Sequence, residues 1–317
     1  MRYYVTGCAG FIGSNLTDRL LQQSHQVVGY DNFSTGFHEF TTTAKKSKNF
    51  SLIEADLLDA AAVKESMKDC DAVFHFAANA DIRFGLDHPF KDLEQNAIVT
   101  YNVLEGMRAN NIKHIIFSST SALYGEPAVF PTPENVQLPI QTSLYGASKL
   151  AAEGLIQSYC GGYGFKAHIF RFVSITGPRY THGHVFDFCK QLFQNPEKLH
   201  VLGNGLQRKS YLHVDDCVDA IFHALENARD NINIFNLGQS NYCLVNDSVQ
   251  WICQALGLQP ELSYGGGDRG WVGDNPFTFL DCSQIRQLGW EPKYSIQDSI
   301  VSTVKFLQDN PWVMEKR

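Results

Sequence analysis

Thr6-Gly7-Cys8-Ala9-Gly10-Phe11-Ile12-Gly13 follows an apolar Tyr3-Tyr4-Val5 run and opens an amphipathic segment over residues 14–22. Strand, glycine turn and helix in that order are the setting in which glycines carry a dinucleotide. Gly7 permits the tight turn, Gly10 lets the backbone approach a pyrophosphate, and Gly13 lets the helix pack closely on its strand. The first-turn amides, at Phe11 and Ile12, then face the anion, where the helix dipole favours it. The spacing is G-x-x-G-x-x-G rather than G-x-G-x-x-G, and a glycine triplet by itself could simply be a turn.

About twenty residues further on, residues 26–30 read as a second strand ending in Asp31-Asn32. A carboxylate there hydrogen-bonds the hydroxyls of an adenosine ribose and repels a 2′-phosphate, so the expected cofactor is NAD rather than NADP.

Composition narrows the class. A chain of 317 residues that is 44% hydrophobic can build one large domain or two small ones. A net charge of −7 without any Lys/Arg-rich block argues against nucleic acid or an anionic membrane as partner. No apolar run reaches the roughly 20 residues needed to span a bilayer. A first strand starting at residue 2 leaves no room for a signal peptide, so a cytoplasmic protein is expected. The eight cysteines include no C-x-x-C pair and read as small buried hydrophobes in a reducing compartment. No metal is expected, because neither Cys nor His is clustered at ligand spacing.

Along the chain, residues 50–55 read as a third strand ending at Asp56-Leu57, and residues 60–68 as a helix. Residues 71–78 form a fourth strand running into Phe76-Ala77-Ala78, small residues that let a flat cofactor approach the backbone. Leu93, Ala97, Tyr101, Leu104 and Met107 fit one long buried helix. Residues 114–119 are a fifth strand, and alternation at this spacing predicts a parallel, doubly wound sheet. After a passage holding Pro127, Pro131, Pro133 and Pro139, a helix runs from about residue 143 to 161, and residues 167–173 are a sixth strand. From Ser174 the elements shorten and turn signals multiply, which suggests a smaller lobe.

Tyr145 and Lys149 are four apart at the start of a helix and so share one face. A nearby ammonium stabilises a phenolate and is expected to lower the phenol's pKa from its usual value near 10, making Tyr145 a usable base on a sugar hydroxyl.

With these residues in place, the chain resembles the extended short-chain dehydrogenase/reductase superfamily, in its nucleotide-sugar epimerase/dehydratase branch, and most of all the UDP-glucose 4-epimerases. The resemblance runs through residues 6–13, Asp31, Asp56-Leu57, His75-Phe76-Ala77-Ala78, residues 145–149, Gly177-Pro178-Arg179 and Leu288-Gly289-Trp290-Glu291-Pro292. It implies a Rossmann-like α/β fold with a smaller C-terminal α+β substrate lobe. The NAD-binding domain would span residues 1–173, with 212–240 returning to it, and residues 174–211 and 241–317 would hold the nucleotide sugar. Asn96, Ser118 and Phe172 join the expected cofactor contacts. The family's third catalytic residue, a Ser or Thr ending the fifth strand, falls on Thr120, with Ser119 or Ser121 in its place if the register is off by one. Ala122 stands where related dehydratases and decarboxylases usually carry Glu, which favours oxidation with return of the hydride over elimination.

For the substrate, Arg269 matches the arginine that clamps the pyrophosphate, and Asp274 would hold a ribose or that arginine. Lys209, before Tyr211, replaces a common Arg, and Ser174 replaces a common Asn. His184 and Val185 match a stretch that meets the diphosphate and uracil. Thr278 falls near the position that gates room around the sugar's C2 group, so N-acetylhexosamines are expected to fit. The resemblance implies an NAD-dependent UDP-sugar 4-epimerase that dimerises through the helix after Thr100 and the helix carrying Tyr145. The alternatives are a 4-keto reductase or dehydrogenase, an epimerase for a CDP- or GDP-sugar or for another carbon, and a non-catalytic NAD sensor.

Overall fold

The structure, a computed structural model, describes residues 1–137, 140–271 and 274–317, without the side chains of residues 83 and 84. Pro139 of the proline-bearing passage lies outside the described residues. The chain divides into two compact units.

The first unit comprises Met1–Gly125, Ile140–Arg171 and Ile221–Phe235. It is built on a seven-stranded sheet of β1 (Arg2–Thr6), β2 (Gln26–Asp31), β3 (Phe50–Glu54), β4 (Ala72–His75), β5 (His114–Thr120), β6 (Lys166–Phe172) and a last strand, Ile232–Leu237. The order runs from Ile232–Leu237 through β6, β5, β4, β1 and β2 to β3. The pairs β1–β2, β2–β3, β1–β4 and β4–β5 are parallel. Helices on both faces explain why β1, β4 and β5 are near-continuous apolar runs rather than alternating ones. The strand order reverses between β1 and β4, and ligands of open α/β sheets bind outside the strand ends at such a switch point.

The glycine turn leads into α1 (Phe11–Gln22), and α2 (Ala60–Ser66) is capped by the Asp59 carboxylate, which accepts the amides of Ala61 and Ala62. The helix α6 (Leu144–Tyr163) starts at Ser143, whose hydroxyl accepts the Gly146 amide at 3.0 Å, and stops at left-handed Gly164.

The single helix expected through residues 93–107 is interrupted. Short helices α3 (Ile82–Asp87) and α4 (Pro89–Asp92) lead into a π-helical stretch, Leu93–Ile98, and then α5 (Val99–Ala109). A π-turn spans one residue more than an α-turn and shifts the buried face. Leu93 and Tyr101 are therefore about half exposed, at 49% and 48%, while Asn96, Val99, Thr100 and Val103 point inward. Val103, Leu104 and Met107 join Tyr4, Val73, Ile115, Phe117 and Ile156 in the core. Truncating any of these to Ala would cost about 2–5 kcal/mol.

The second unit comprises Glu126–Pro139, Phe172–Ala220 and Asn236–Arg317. The passage after Gly125, expected with the first domain, groups here because its polar groups are satisfied here. Asn236 donates its side-chain amide to the carbonyls of Thr132 (2.9 Å) and Asp281 (3.0 Å), and its backbone N–H to Glu134 (2.8 Å). Three small sheets follow: Tyr211–His213 parallel to Ser174–Thr176; Arg208–Lys209 between Cys243–Leu244 and Phe277–Thr278; and Glu261–Tyr264 parallel to Lys198–Val201. They pack with α7 (His184–Gln194) and the helices Val245–Leu256 and Ile296–Asp309. All eight cysteines are free thiols. Among the described residues, no helix is long and apolar enough to cross a membrane.

Candidate active site

In the first unit, Gly7 has φ +70°, and a Cβ there would lie 2.7 Å from the Ala77 amide nitrogen. At Gly13 a Cβ would lie 2.0 Å from the Gly7 carbonyl oxygen, so helix and turn touch backbone to backbone. The first turn of α1 carries no acidic residue and its N-cap, Gly10, offers no side chain. Its leading amides have no intrahelical acceptors. Asp31 closes the loop from the other side, accepting the amides of Ala9 (2.8 Å) and Phe33 (2.9 Å). Beside it, Asn32 donates to the Asp56 carboxylate at 2.9 Å, and Leu57 is buried. Phe76, Ala77 and Ala78 are partly exposed, and the amides of Phe76 and Ala77 both donate to Thr6 Oγ1 at 3.1 Å.

Asn96 accepts the Asn79 amide (3.0 Å) and donates to Ser148 Oγ (2.9 Å), which ties the π-helical stretch to α6. Ser118 Oγ donates to the His75 carbonyl at 3.3 Å. His75 itself sits between Thr6 (2.7 Å) and Thr100 (3.0 Å), and burial pushes its pKa down to about 3. Phe172, the remaining expected cofactor contact, is buried at the end of β6.

The expected catalytic residues converge. The Thr120 hydroxyl accepts the Ala122 amide at 3.1 Å and pulls the Tyr145 phenol toward a lower pKa. Ser119 turns away, donating to Glu153 at 2.5 Å, and Ser121 opens the short turn Ser121–Tyr124. Lys149 is 1% exposed, with Nζ 4.2 Å from the centre of the Phe117 ring. The electrostatics depart from the expected lowering of the tyrosine. Burial pushes Tyr145 up to about 12, against the opposing pull of Thr120, and pushes Lys149 down to about 7. Desolvation disfavours both charged forms, and it outweighs the pull of Thr120 on Tyr145 and of the Glu153 carboxylate on Lys149.

Glu153, one turn beyond Lys149, was not legible as part of this cluster. It is fully buried and accepts from Arg171 at two points, Nε at 3.1 Å and Nη2 at 2.7 Å. The available signal was an arginine inside the apolar run Ile169-Phe170-Arg171-Phe172 together with a carboxylate on the Tyr145/Lys149 face.

In the second unit, Arg269 forms a two-pronged ion pair with Glu126 (2.7 and 3.0 Å) and also donates to the Asp274 carbonyl at 3.0 Å. The Asp274 carboxylate accepts from Lys209 at 2.8 Å and from the Gly270 amide at 2.9 Å. Ser174 is exposed, and Thr278 is partly exposed, paired with Lys209 across neighbouring strands.

Of the residues expected at the diphosphate and uracil, His184 is partly buried and Val185 and Tyr211 are buried. Val185 is fully buried, as is Tyr211 but for 1% of its surface. The Tyr211 hydroxyl meets His184 Nδ1 at 3.0 Å, and His184 Nε2 meets Ser248 Oγ at 2.9 Å. The His184 ring and the Tyr211 hydroxyl thus spend their hydrogen bonds internally. What the start of α7 offers outward is backbone, after Gly183 with φ +100°.

The first unit's turn fits a dinucleotide. Its Gly7 and Gly13 contacts leave no room for side chains, its helix start is uncapped, and its buried carboxylate lies at the end of β2.

Comparison with known proteins agrees with that fit. The UDP-glucose 4-epimerase of Mycolicibacterium smegmatis is 31% identical over 318 residues, covering 98% of this chain and 99% of that protein. The solved UDP-glucose 4-epimerase of Thermotoga maritima, crystallised with UDP-glucose, superposes with a TM-score of 0.89 at 31% identity, covering 98% of this chain and all of that one. The UDP-glucuronic acid 4-epimerase of Bacillus cereus, with UDP-glucuronic acid and NAD, gives 0.88 at 26% identity, covering 98% and 99%. The model of the NAD dependent epimerase/dehydratase family matches residues 3–238, and the chain belongs to that family.

Proposed function

We propose that this chain is an NAD-dependent epimerase acting at C4 of a UDP-hexose, with N-acetylated hexoses admitted. The observation that carries the reading is the Thr120 hydroxyl pulling on the Tyr145 phenol, one helical turn from buried Lys149. Tyr145 Oη takes the proton of the sugar's 4-hydroxyl, with the Thr120 hydroxyl passing it, and returns it after the hydrogen at C4 has changed face. NAD, when bound, supplies the hydride acceptor and donor for C4 and a positive charge beside the phenol. The Lys149 ammonium favours the phenolate, and its retreat from water strengthens that attraction. The residue after Ser121 is alanine, so the turn Ser121–Tyr124 offers no acid for eliminating water from the sugar.

The first unit would hold NAD through Gly7, Gly10, Gly13 and Asp31. The second would hold the nucleotide diphosphate through Arg269, Lys209 and the backbone before α7. A guanidinium that engages both oxygens of Glu126 has the geometry a diphosphate requires. Thr278 offers a small side chain at its strand. The exposed Leu93, Ile98 and Tyr101 support a homodimer through that face of the chain, which light scattering would test. The free thiols suit a cytoplasmic location.

The test is to incubate the purified chain, without added cofactor, with UDP-glucose, UDP-N-acetylglucosamine or UDP-glucuronate and follow C4 configuration by proton NMR. Galacto-form product without added NAD supports the reading. A strict requirement for stoichiometric NAD, with a net oxidised product, would replace it with a dehydrogenase.

A further inference from the structure

Glu153 and Arg171 are 0% and 5% exposed and lie beside the reacting groups without belonging to them. A buried ion pair gains little over well-packed apolar residues, so what it contributes here is its placement. Glu153 follows Lys149 by four residues, on the same helical face. Its Oε1 accepts from Ser119 (2.5 Å) and Arg171 Nε (3.1 Å), and its Oε2 from Arg171 Nη2 (2.7 Å). Arg171 Nη1 donates to the Tyr124 hydroxyl at 2.8 Å, with the guanidinium 5.1 Å from that ring's centre. Thr120 is thus bracketed in sequence by two residues anchored to one pair: Ser119 to the carboxylate and Tyr124 to the guanidinium.

We propose that Glu153 and Arg171 are positioning residues for the epimerase reaction, fixing Thr120 from both flanks and holding a carboxylate one helical turn from Lys149. This rests on the reading in which Tyr145, Lys149 and Thr120 perform the chemistry. The carboxylate opposes the effect of burial on Lys149 and keeps more of it charged near neutral pH.

Other described groups face Lys149 and Tyr145. His75 faces Lys149 from β4 and is held neutral by burial, and the Phe117 ring faces it from β5. Asp92 of α4 faces Tyr145, its own carboxyl pushed upward by burial. On the other elements against α6, Lys91 pairs with Glu94 (2.6 Å) and Arg108 with Glu105 (2.7 Å), while Asp87 of α3 is exposed.

The test pairs Glu153→Gln, which removes the charge but keeps the shape, with Ser119→Ala, which keeps the charge but releases one flank of Thr120. In Glu153→Gln the Lys149 limb of the kcat–pH profile should move to lower pH by about one unit, because the lost negative charge makes Lys149 hold its proton less tightly. An unmoved limb with only reduced amplitude would overturn the electrostatic part and leave a structural brace. Ser119→Ala should lower kcat about ten- to a hundred-fold with KM and both limbs unchanged. Wild-type kcat there would overturn the bracketing, and this variant decides the proposal if Glu153→Gln does not fold. NMR titration of lysine Cε signals, with Lys149 assigned by its loss in Lys149→Arg, reads the charge effect without turnover, as a downward shift of about one unit in Glu153→Gln. Absence of turnover by the wild type would sink the functional reading while leaving that titration to judge the pair.

Discussion

Thr120 accepts the Ala122 N–H at 3.1 Å and lowers the pKa of the Tyr145 phenol against the opposing effect of burial. With the amide occupying one lone pair, the Thr120 proton is free to point at the phenol oxygen and steady it as a phenolate. Thr120→Val, which keeps the shape, should lower kcat by about 10²-fold or more, and Thr120→Ser should restore most of it. Tyr145→Phe should lower kcat by about 10³-fold or more with NAD still present in the denatured protein. Steady-state kinetics and cofactor content together check both.

Gly13 should tolerate nothing larger. The Cβ of Gly13→Ala would meet backbone at 2.0 Å, and neither α1 nor the glycine turn can yield without moving the dinucleotide contacts. Overpacking of this kind costs about 1–3 kcal/mol, so the variant should melt several degrees lower and purify with less NAD. Differential scanning fluorimetry and absorbance of the acid extract measure the two effects.

These two cases mark what the sequence could carry. Gly7, Gly13 and Asp31 were readable because steric exclusion and charge selection attach to residue type at short spacing, and Thr120, Tyr145 and Lys149 were readable because one strand end and one helix face bring them together. The direction of the Tyr145 shift was not readable, since it depends on burial rather than on neighbours in the chain. The Glu153–Arg171 pair and the Glu126–Arg269 pair join residues 18 and 143 positions apart, and a helix carboxylate alone looks solvated. The π-helical stretch, Leu93–Ile98, was hidden because one extra residue per turn leaves no composition signal.

Stability should fall in mild acid. His75 and His168 are fully buried, and burial holds both pKa values down to about 3, against 6.5 for the unperturbed group. The unfolded chain therefore binds more protons below pH 6.5, so stability is complete above that value and declines as pH falls toward 3. Each of the two contributes at most about 1.4 kcal/mol per pH unit in that window. Urea unfolding at pH 7, 6 and 5 should show a progressively lower midpoint. A flat profile would contradict the neutral, buried state of these histidines.

Arg269 should act on binding rather than on chemistry. Arg269→Met should raise KM for a UDP-sugar about ten-fold or more while leaving kcat within a few-fold, and Arg269→Lys should recover only part, because an ammonium cannot grip two oxygens in one plane. Isothermal calorimetry with UDP alone separates this from any effect on the sugar.

The central claim is that the hydrogen at C4 leaves and returns as a hydride, never mixing with solvent, while Tyr145 moves only the hydroxyl proton. The most direct measurement is conversion of UDP-glucose in deuterium oxide with no added cofactor, followed by proton NMR and mass spectrometry of the product. The expected product is UDP-galactose that keeps protium at C4 and gains no carbon-bound deuterium. Deuterium at C4 or at a neighbouring carbon would mean inversion by deprotonation of carbon, and would contradict it.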